Sequence, residues 1–206
     1  MIIYDIEQNS EAWFQARCGR ITGTRFKSLM AGDSTKAFQD LILDIVIELA
    51  TEQPDESYSN FAMERGKETE PDARKMYESE FDVEIKEAGF IVPDEDNEFH
   101  HIVGVSPDGL TTDNGMIEIK CPMAKTHLNY ILKNTLPAEY KHQVQGQLFV
   151  TGLNYCDFVS YYPNMKPFII RVYPDQDLFK QYENELNKLI PIVNEKKELY
   201  NKYFAF

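Results

Sequence analysis

The spacing of apolar residues changes period partway along this chain, and that change limits what it can fold into. Up to about residue 77 the apolar positions recur every three or four residues, the period of a helix with one buried face. Ser10 stands where it caps a first helix, which carries Trp13, Phe14 and Ala16 and ends near Gly19. Thr22 or Thr24 caps a second, with Phe26, Leu29 and Met30 inside it and Gly32 at its end. Phe38, Leu41, Ile42, Ile45, Val46 and Leu49 make 36–51 an amphipathic helix closed by Pro54, and another helix is expected over 61–77. Short β-branched or aromatic runs follow at 83–85, 89–92, 102–105 and 116–120, the pattern of strands. A helix begun by Pro137 carries 140–150, strands at 157–162 and 168–173 flank a turn, and a helix over 177–203, kinked at Pro191, closes the chain. With no internal repeat and no linker-like stretch, one domain over 1–206 is expected, of the α/β (α+β) class with a mixed central β-sheet flanked by helices.

Charge narrows the function. With 34 acidic and 21 basic side chains the net charge is −13, which excludes a protein that coats nucleic acid nonspecifically through Lys and Arg. A nucleic-acid role then needs basic residues gathered in a groove. No stretch approaches the ~18 apolar residues of a membrane helix. Met1 to Asp5 lack the features of a signal peptide, so no membrane partner and a cytoplasmic location are expected. Cys18, Cys121 and Cys156 are too few for a four-thiolate zinc site or a typical iron–sulfur cluster, and His100, His101, His127 and His142 fit no zinc-finger spacing.

The chemistry concentrates in Ser106-Pro107-Asp108-Gly109, followed, with nine residues between Asp108 and Glu118, by Glu118-Ile119-Lys120. Side chains two apart on a strand share a face, so Glu118 and Lys120 point together while Ile119 points to the core. An acid and a base on an apolar strand are costly to bury unless they serve each other or a metal. Asp108 is expected to follow a strand, with Gly109 turning the chain so that residues 111–115 bring it beside Glu118. Two carboxylates and a peptide carbonyl, that of Ile119, are hard oxygen ligands suited to Mg²⁺ or Mn²⁺. The plainer alternative is a structural Glu118–Lys120 ion pair with Asp108 as an ordinary turn residue.

This P-D-(x9)-E-x-K arrangement resembles the signature of the PD-(D/E)xK nucleases, with their restriction-endonuclease-like core. The words SPDGL and IEIKCP are similar to those of the lambda-exonuclease or YqaJ-type viral recombinase branch. Three more segments resemble that branch in order: EAWFQARCGRITGTRF, GKETEPDAR and HQVQGQLFVTG. The resemblance implies that Asp108, Glu118 and Glu70 hold up to two ions, Mg²⁺ with Mn²⁺ as a substitute, and that Lys120 serves the attacking water. A lysine between two carboxylates has its pKa pushed up, which favours water positioning and charge stabilisation over a literal general base. Gln143 would lie near the metal, with Tyr140 and Gln147 on the same helix face. Glu70 has a helix-surface charge as its alternative, and Gln147 a structural contact.

In the resembled family the N-terminal helices hold the 5′-phosphate, which makes Arg17, Thr22 and Thr24 candidates, although Thr24 also serves as a plain cap. Arg20 and Arg25 add charge nearby. Met63, Gly66 and Glu70 share a helix face; Met63 either packs in the core or wedges bases at the duplex end, and Gly66 admits a phosphate backbone or a neighbouring strand. Residues 10–51 would form the DNA-end side, 61–175 the core and 177–203 a closing helix. The implied activity is a metal-dependent 5′-to-3′ exonuclease acting on ends of double-stranded DNA and leaving 3′ single strands for phage-type recombination. A ring-shaped homotrimer and a single-strand annealing protein as partner are implied too. The rivals are a PD-(D/E)xK endonuclease that cuts duplex or branched DNA, and a non-catalytic acidic interaction protein.

Overall fold

Ser10 does cap the first helix: its Oγ accepts the Trp13 amide at 3.2 Å. The computed structural model describes residues 1–54 and 61–204, with the side chains of 61–67 and 204 outside that description. A short strand β1 (Ile2–Tyr4) precedes α1 (Glu11–Arg17). The second expected helix is only a 3-10 turn, Gly23–Arg25, running into a single α turn, α2 (Phe26–Leu29). Burial replaces helix length here, because Phe26 and Leu29 are fully enclosed. The segment α3 (Lys36–Thr51) matches its expectation, capped by Thr35 and ended by Glu52 in a left-handed conformation at φ 54°. Helix α4 (Phe61–Phe81) runs past residue 77 with Pro71 inside it.

Strands β2 (Ile85–Lys86), β3 (Phe90–Val92), β4 (Gly109–Thr111) and β5 (Met116–Lys120) follow, then α5 (Ala124–Lys133), a 3-10 turn at Ala138–Tyr140 and α6 (Lys141–Thr151). Strands β6 (Cys156–Ser160) and β7 (Phe168–Val172) lead to α7 (Gln176–Phe204), one helix through Pro191. The main sheet has the order β2-β4-β5-β6-β7; β5 and β6 are parallel and the other pairs antiparallel, while β1 pairs with β3 apart from it. This is the mixed sheet expected from the sequence.

The two faces of the sheet take different helices. Ala73 and Tyr77 of α4 pack on Ile117, Ile119 and Val159, whereas Val144 and Leu148 of α6 pack with Met116 and Phe158. Behind α6, the buried stripe of α3 meets Leu178, Tyr182, Leu186, Leu189 and Val193 of α7. Gly146 lets the N-terminal segment seat directly on α6, since a Cβ there would lie 2.4 Å from the Phe26 ring.

Two further expectations are corrected. Residues 102–105 form no strand; Val103 and Val105 make single bridges to Ile21 and Ile91, one to each neighbour, and no ladder grows. Asp108 does not follow a strand with Gly109 as its turn: Gly109 opens β4, and the turn comes after Thr111. Helix α5 went unread because its apolar positions do not report burial, with His127 and Tyr130 inside while Leu128 and Leu132 are exposed. Among the described residues no helix is long and apolar enough to cross a membrane.

Candidate active site

Strand β5 carries the site through its alternation. Its even residues bond towards β6, as the Tyr161 amide donating to the Lys120 carbonyl at 2.9 Å shows, so the N–H and C=O of Ile119 point to the opposite edge. There β4 has not yet begun, and Asp108 takes the place of a strand. Its amide donates to the Ile117 carbonyl at 3.1 Å, and its Oδ2 accepts the Ile119 amide at 2.5 Å. The Asp108 carboxylate and the Ile119 carbonyl thus share one edge of β5.

Glu118 points to the α6 face and is only 1% exposed. It survives there because three donors meet it: Lys120 Nζ and Gln143 Nε2 lie 2.5 Å from Oε1, and Gln147 Nε2 lies 2.7 Å from Oε2. The Lys120 ammonium also lies 5.4 Å from the Tyr140 ring centroid. Burial alone would lower the Lys120 pKa, but Glu118 and Asp108 reverse that and hold it above its ordinary value. Burial, then the charges of Glu118 and Glu70, push Asp108 well above the usual carboxylate range. Glu70 is raised in the same way, by burial first, with Arg74 and Lys120 partly offsetting it.

Glu70 is tied to the site through Arg74, which the sequence reading passed over. Arg74 Nη2 donates to Glu70 Oε1 and to the Asp108 carbonyl, each at 3.1 Å, and Nη1 to Glu87. Among the described residues no three Asp, Glu, His or Cys side chains converge as a ready-made cation cluster. The physical reason is visible: Glu118 Oε1 faces Lys120 and Gln143, and Glu70 faces Arg74. The donor set itself, carboxylates and a peptide carbonyl, suits a hard divalent cation.

The glutamines of α6 sort differently from their motif. Gln143 and Gln147, four apart, meet Glu118, whereas Gln145 donates to the Tyr173 carbonyl at 2.8 Å and accepts the Asp175 amide at 2.9 Å. Helix spacing was the signal that singles out Gln147.

The N-terminal segment reaches the same place. Trp13 Nε1 donates to Ser106 Oγ at 2.8 Å and to the Gly89 carbonyl at 3.2 Å, and the Arg17 guanidinium stacks 3.9 Å above the Trp13 ring. Burial, and then the charge of Arg25, lower the Arg17 pKa to about 10. Among the described residues the Arg17 guanidinium makes no hydrogen bond or ion pair. Thr22 is buried at the start of the 3-10 turn without a side-chain capping bond, and Thr24 is exposed. A Cβ on Gly23 would lie 3.4 Å from Gln143 Cγ and 3.6 Å from Gln147 Cγ, so this turn abuts the groups that hold Glu118.

Arg20 and Arg25 are engaged by other parts of the protein. Arg25 forks onto Glu48 at 2.9 and 2.5 Å, Glu48 also accepts the Gly19 amide at 2.7 Å, and Arg20 donates to the His100 and Val103 carbonyls at 2.5 and 3.1 Å. They hold the segment that carries Arg17. Met63 and Gly66 lie in the stretch of α4 whose side chains are outside the described residues.

A mixed sheet with Asp108 at its edge and Glu118 and Lys120 at the end of a central strand is a core of the PD-(D/E)xK type. Residues 12–154 match the YqaJ-like viral recombinase domain, and the chain belongs to that family. It is similar to an alkaline exonuclease, LHK-Exo, from Laribacter hongkongensis, with 32% identity and a TM-score of 0.84 over 95% of this chain and 98% of that one. A structure of LHK-Exo in complex with dAMP has the same identity and coverage and a TM-score of 0.85. A phage related exonuclease from Haemophilus somnus 129PT, 11% identical, shares the fold with a TM-score of 0.64 over 89% of this chain and 96% of that one. No curated protein matches the chain.

Proposed function

We propose that the chain is a divalent-metal-dependent deoxyribonuclease that removes nucleotides from the 5′-ended strand of linear duplex DNA and leaves 3′ single strands for recombination. The observation that carries this reading is the buried Glu118 carboxylate, 2.5 Å from Lys120, on the strand whose edge presents Asp108 and the Ile119 carbonyl. Its likeness to an exonuclease solved with dAMP supports a deoxynucleotide as the substrate unit. Asp108, Glu118 and the Ile119 carbonyl would hold Mg²⁺ or Mn²⁺, and Glu70 a second ion. Bound there, the cation supplies Lewis-acid stabilisation of charge at phosphorus and an activated water.

The chain's own groups do the rest. Lys120 stays an ammonium between Glu118 and Asp108, so it orients the water and stabilises charge in the transition state instead of taking a proton. Gln143 hydrogen-bonds a phosphate oxygen or water without adding charge. Arg17, stacked on Trp13 with no hydrogen bond to its guanidinium among the described residues, receives the 5′-phosphate with Thr22 and Thr24, while Met63 and Gly66 contact the duplex end. In this division of labour 10–51 form the DNA-end side, 61–175 the core and 177–203 the closing helix. A cytoplasmic homotrimeric ring with basic residues turned inward reconciles DNA binding with a net charge of −13, and a single-strand annealing protein takes the product.

The test is Mg²⁺-dependent digestion of a linear duplex with one 5′-phosphorylated end, beside a covalently closed circle. Loss of the 5′-phosphorylated strand with the circle intact is expected. Cutting of the circle replaces the reading with an endonuclease, and no cutting with either Mg²⁺ or Mn²⁺ replaces it with an acidic interaction protein.

Arg17→Ala removes the preference for 5′-phosphorylated over 5′-hydroxyl ends, by about 10-fold, since a charge-assisted contact contributes about 1.5–3 kcal/mol. Equal slowing on both ends rules out that contact. A second expectation concerns pH. Asp108 and Glu70 have raised pKa values in the folded protein, so their favourable contribution is present below the ordinary carboxylate pKa and is lost as pH rises through the raised values. Mg²⁺ at ten times its Kd restores about 1.4 kcal/mol at pH 8, a Tm rise of roughly 3–6 °C. That rise fades on acidification as protons reclaim both carboxyls; a pH-independent rise in differential scanning fluorimetry contradicts the assignment.

A further inference from the structure

We propose that Gln147 is a positioning residue of the cation site, holding one oxygen of Glu118 so that the other is presented to a divalent ion; this rests on Glu118 being a metal ligand. Gln147 is 1% exposed and shares α6 with the fully buried Val144 and Leu148. An aliphatic side chain would suit such a place, because a buried amide is costly unless both of its ends are paired. Only one end is. Nε2 donates to Glu118 Oε2 at 2.7 Å, whereas Oε1 is buried without a hydrogen-bond partner among the described residues. The donor end is therefore the reason an amide stands there.

The two oxygens of Glu118 are held unequally. Oε2 has the enclosed Gln147 as its donor, and Gln147 is backed by Gly23, where a Cβ would lie 3.6 Å from its Cγ. Oε1 has Lys120 and Gln143, and the Lys120 side chain is 26% exposed. Donors open to solvent can swing aside for a cation, and an enclosed one cannot. Oε1 is thus the oxygen that exchanges its partners for the ion, while Oε2 stays fixed and keeps the carboxylate in plane. Hydrogen bonds of this kind orient a ligating group, and their loss typically weakens metal binding by about 10–100-fold.

Gln145 provides the control on the same helix. It is buried and doubly bonded, but to Tyr173 and Asp175, away from Glu118. The experiment titrates Mn²⁺ alone into the DNA-free protein and reads free Mn²⁺ by electron paramagnetic resonance. Gln147→Leu is expected to weaken Mn²⁺ binding about 10-fold or more, with Gln147→Met as a second volume-matched variant should Gln147→Leu fail to fold. Gln145→Leu should lower Tm and leave Mn²⁺ affinity at the wild-type value. Unchanged affinity in the Gln147 variants, or equal weakening by Gln145→Leu, overturns the role of Gln147. A wild-type protein that binds no Mn²⁺ overturns the cation site itself, and this role with it.

Discussion

Glu118→Gln lowers Mg²⁺-dependent cleavage of linear duplex DNA by about 10³-fold or more, while the circular dichroism spectrum of the protein is kept. The substitution keeps the volume of the side chain but removes the charge that a cation needs. It also replaces an oxygen that accepts hydrogen bonds with an NH₂ group facing donors. Lys120 and Gln143 meet one oxygen and Gln147 the other, so at least one of these contacts becomes donor against donor. Stability therefore falls by about 1–3 kcal/mol, far less than is needed to explain a thousandfold loss in a folded sample. Single-turnover rates with saturating enzyme separate the two effects, and a rate within tenfold of wild type removes Glu118 from the reaction.

Asp157→Ala produces the opposite pattern, with Tm lower by roughly 5–10 °C and cleavage at 20 °C close to wild type. Asp157 is 1% exposed and accepts the Tyr77 hydroxyl at 2.6 Å and the Arg171 guanidinium at 2.9 and 2.8 Å. Arg171 in turn stacks 3.6 Å over the Tyr155 ring. The cluster joins α4 to β6 and β7 through side chains that are not among the catalytic candidates. Truncation leaves the enclosed Tyr77 hydroxyl without its acceptor and the guanidinium without its counter-charge. Removing one partner of a fully buried pair costs about 3–5 kcal/mol. The Arg171 side chain is 40% exposed, water can re-solvate it, and a loss of about 2–3 kcal/mol is the discounted expectation. Thermal unfolding followed by circular dichroism measures it, and a Tm change under 2 °C contradicts it.

The parts of the site that were legible in the sequence share a local cause. Glu118 and Lys120 fall on one face because a strand alternates, and Ile119 packs against Ala73 and Tyr77 for the same reason. The spacing of Asp108 from Glu118 was legible, although its structural basis differs: Asp108 stands in for a strand residue at the edge of β5 instead of following a strand into a turn. Arg17 was legible as a cation near a helix end, but its Trp13 platform joins residues 76 and 93 positions apart in the chain. Arg20 and Arg25 read as spare charge until Glu48 and two carbonyls engaged them. Their partners lie on other elements, and charge counting along a sequence cannot see them.

By itself, the sequence determined the change from helical to strand period along the chain, the Ser10 cap, the buried stripe of α3 and the shared face of Glu118 and Lys120. Each depends on groups within a few residues of one another, where backbone geometry alone sets which side chains meet. Only the tertiary structure decided that residues 102–105 make bridges without a ladder, that α5 is a helix, and that Arg74 ties Glu70 to Asp108. Those outcomes depend on which surfaces come together when the sheet closes against α4 and α6. Burial then turns polar side chains with few signals of their own into obligatory partners.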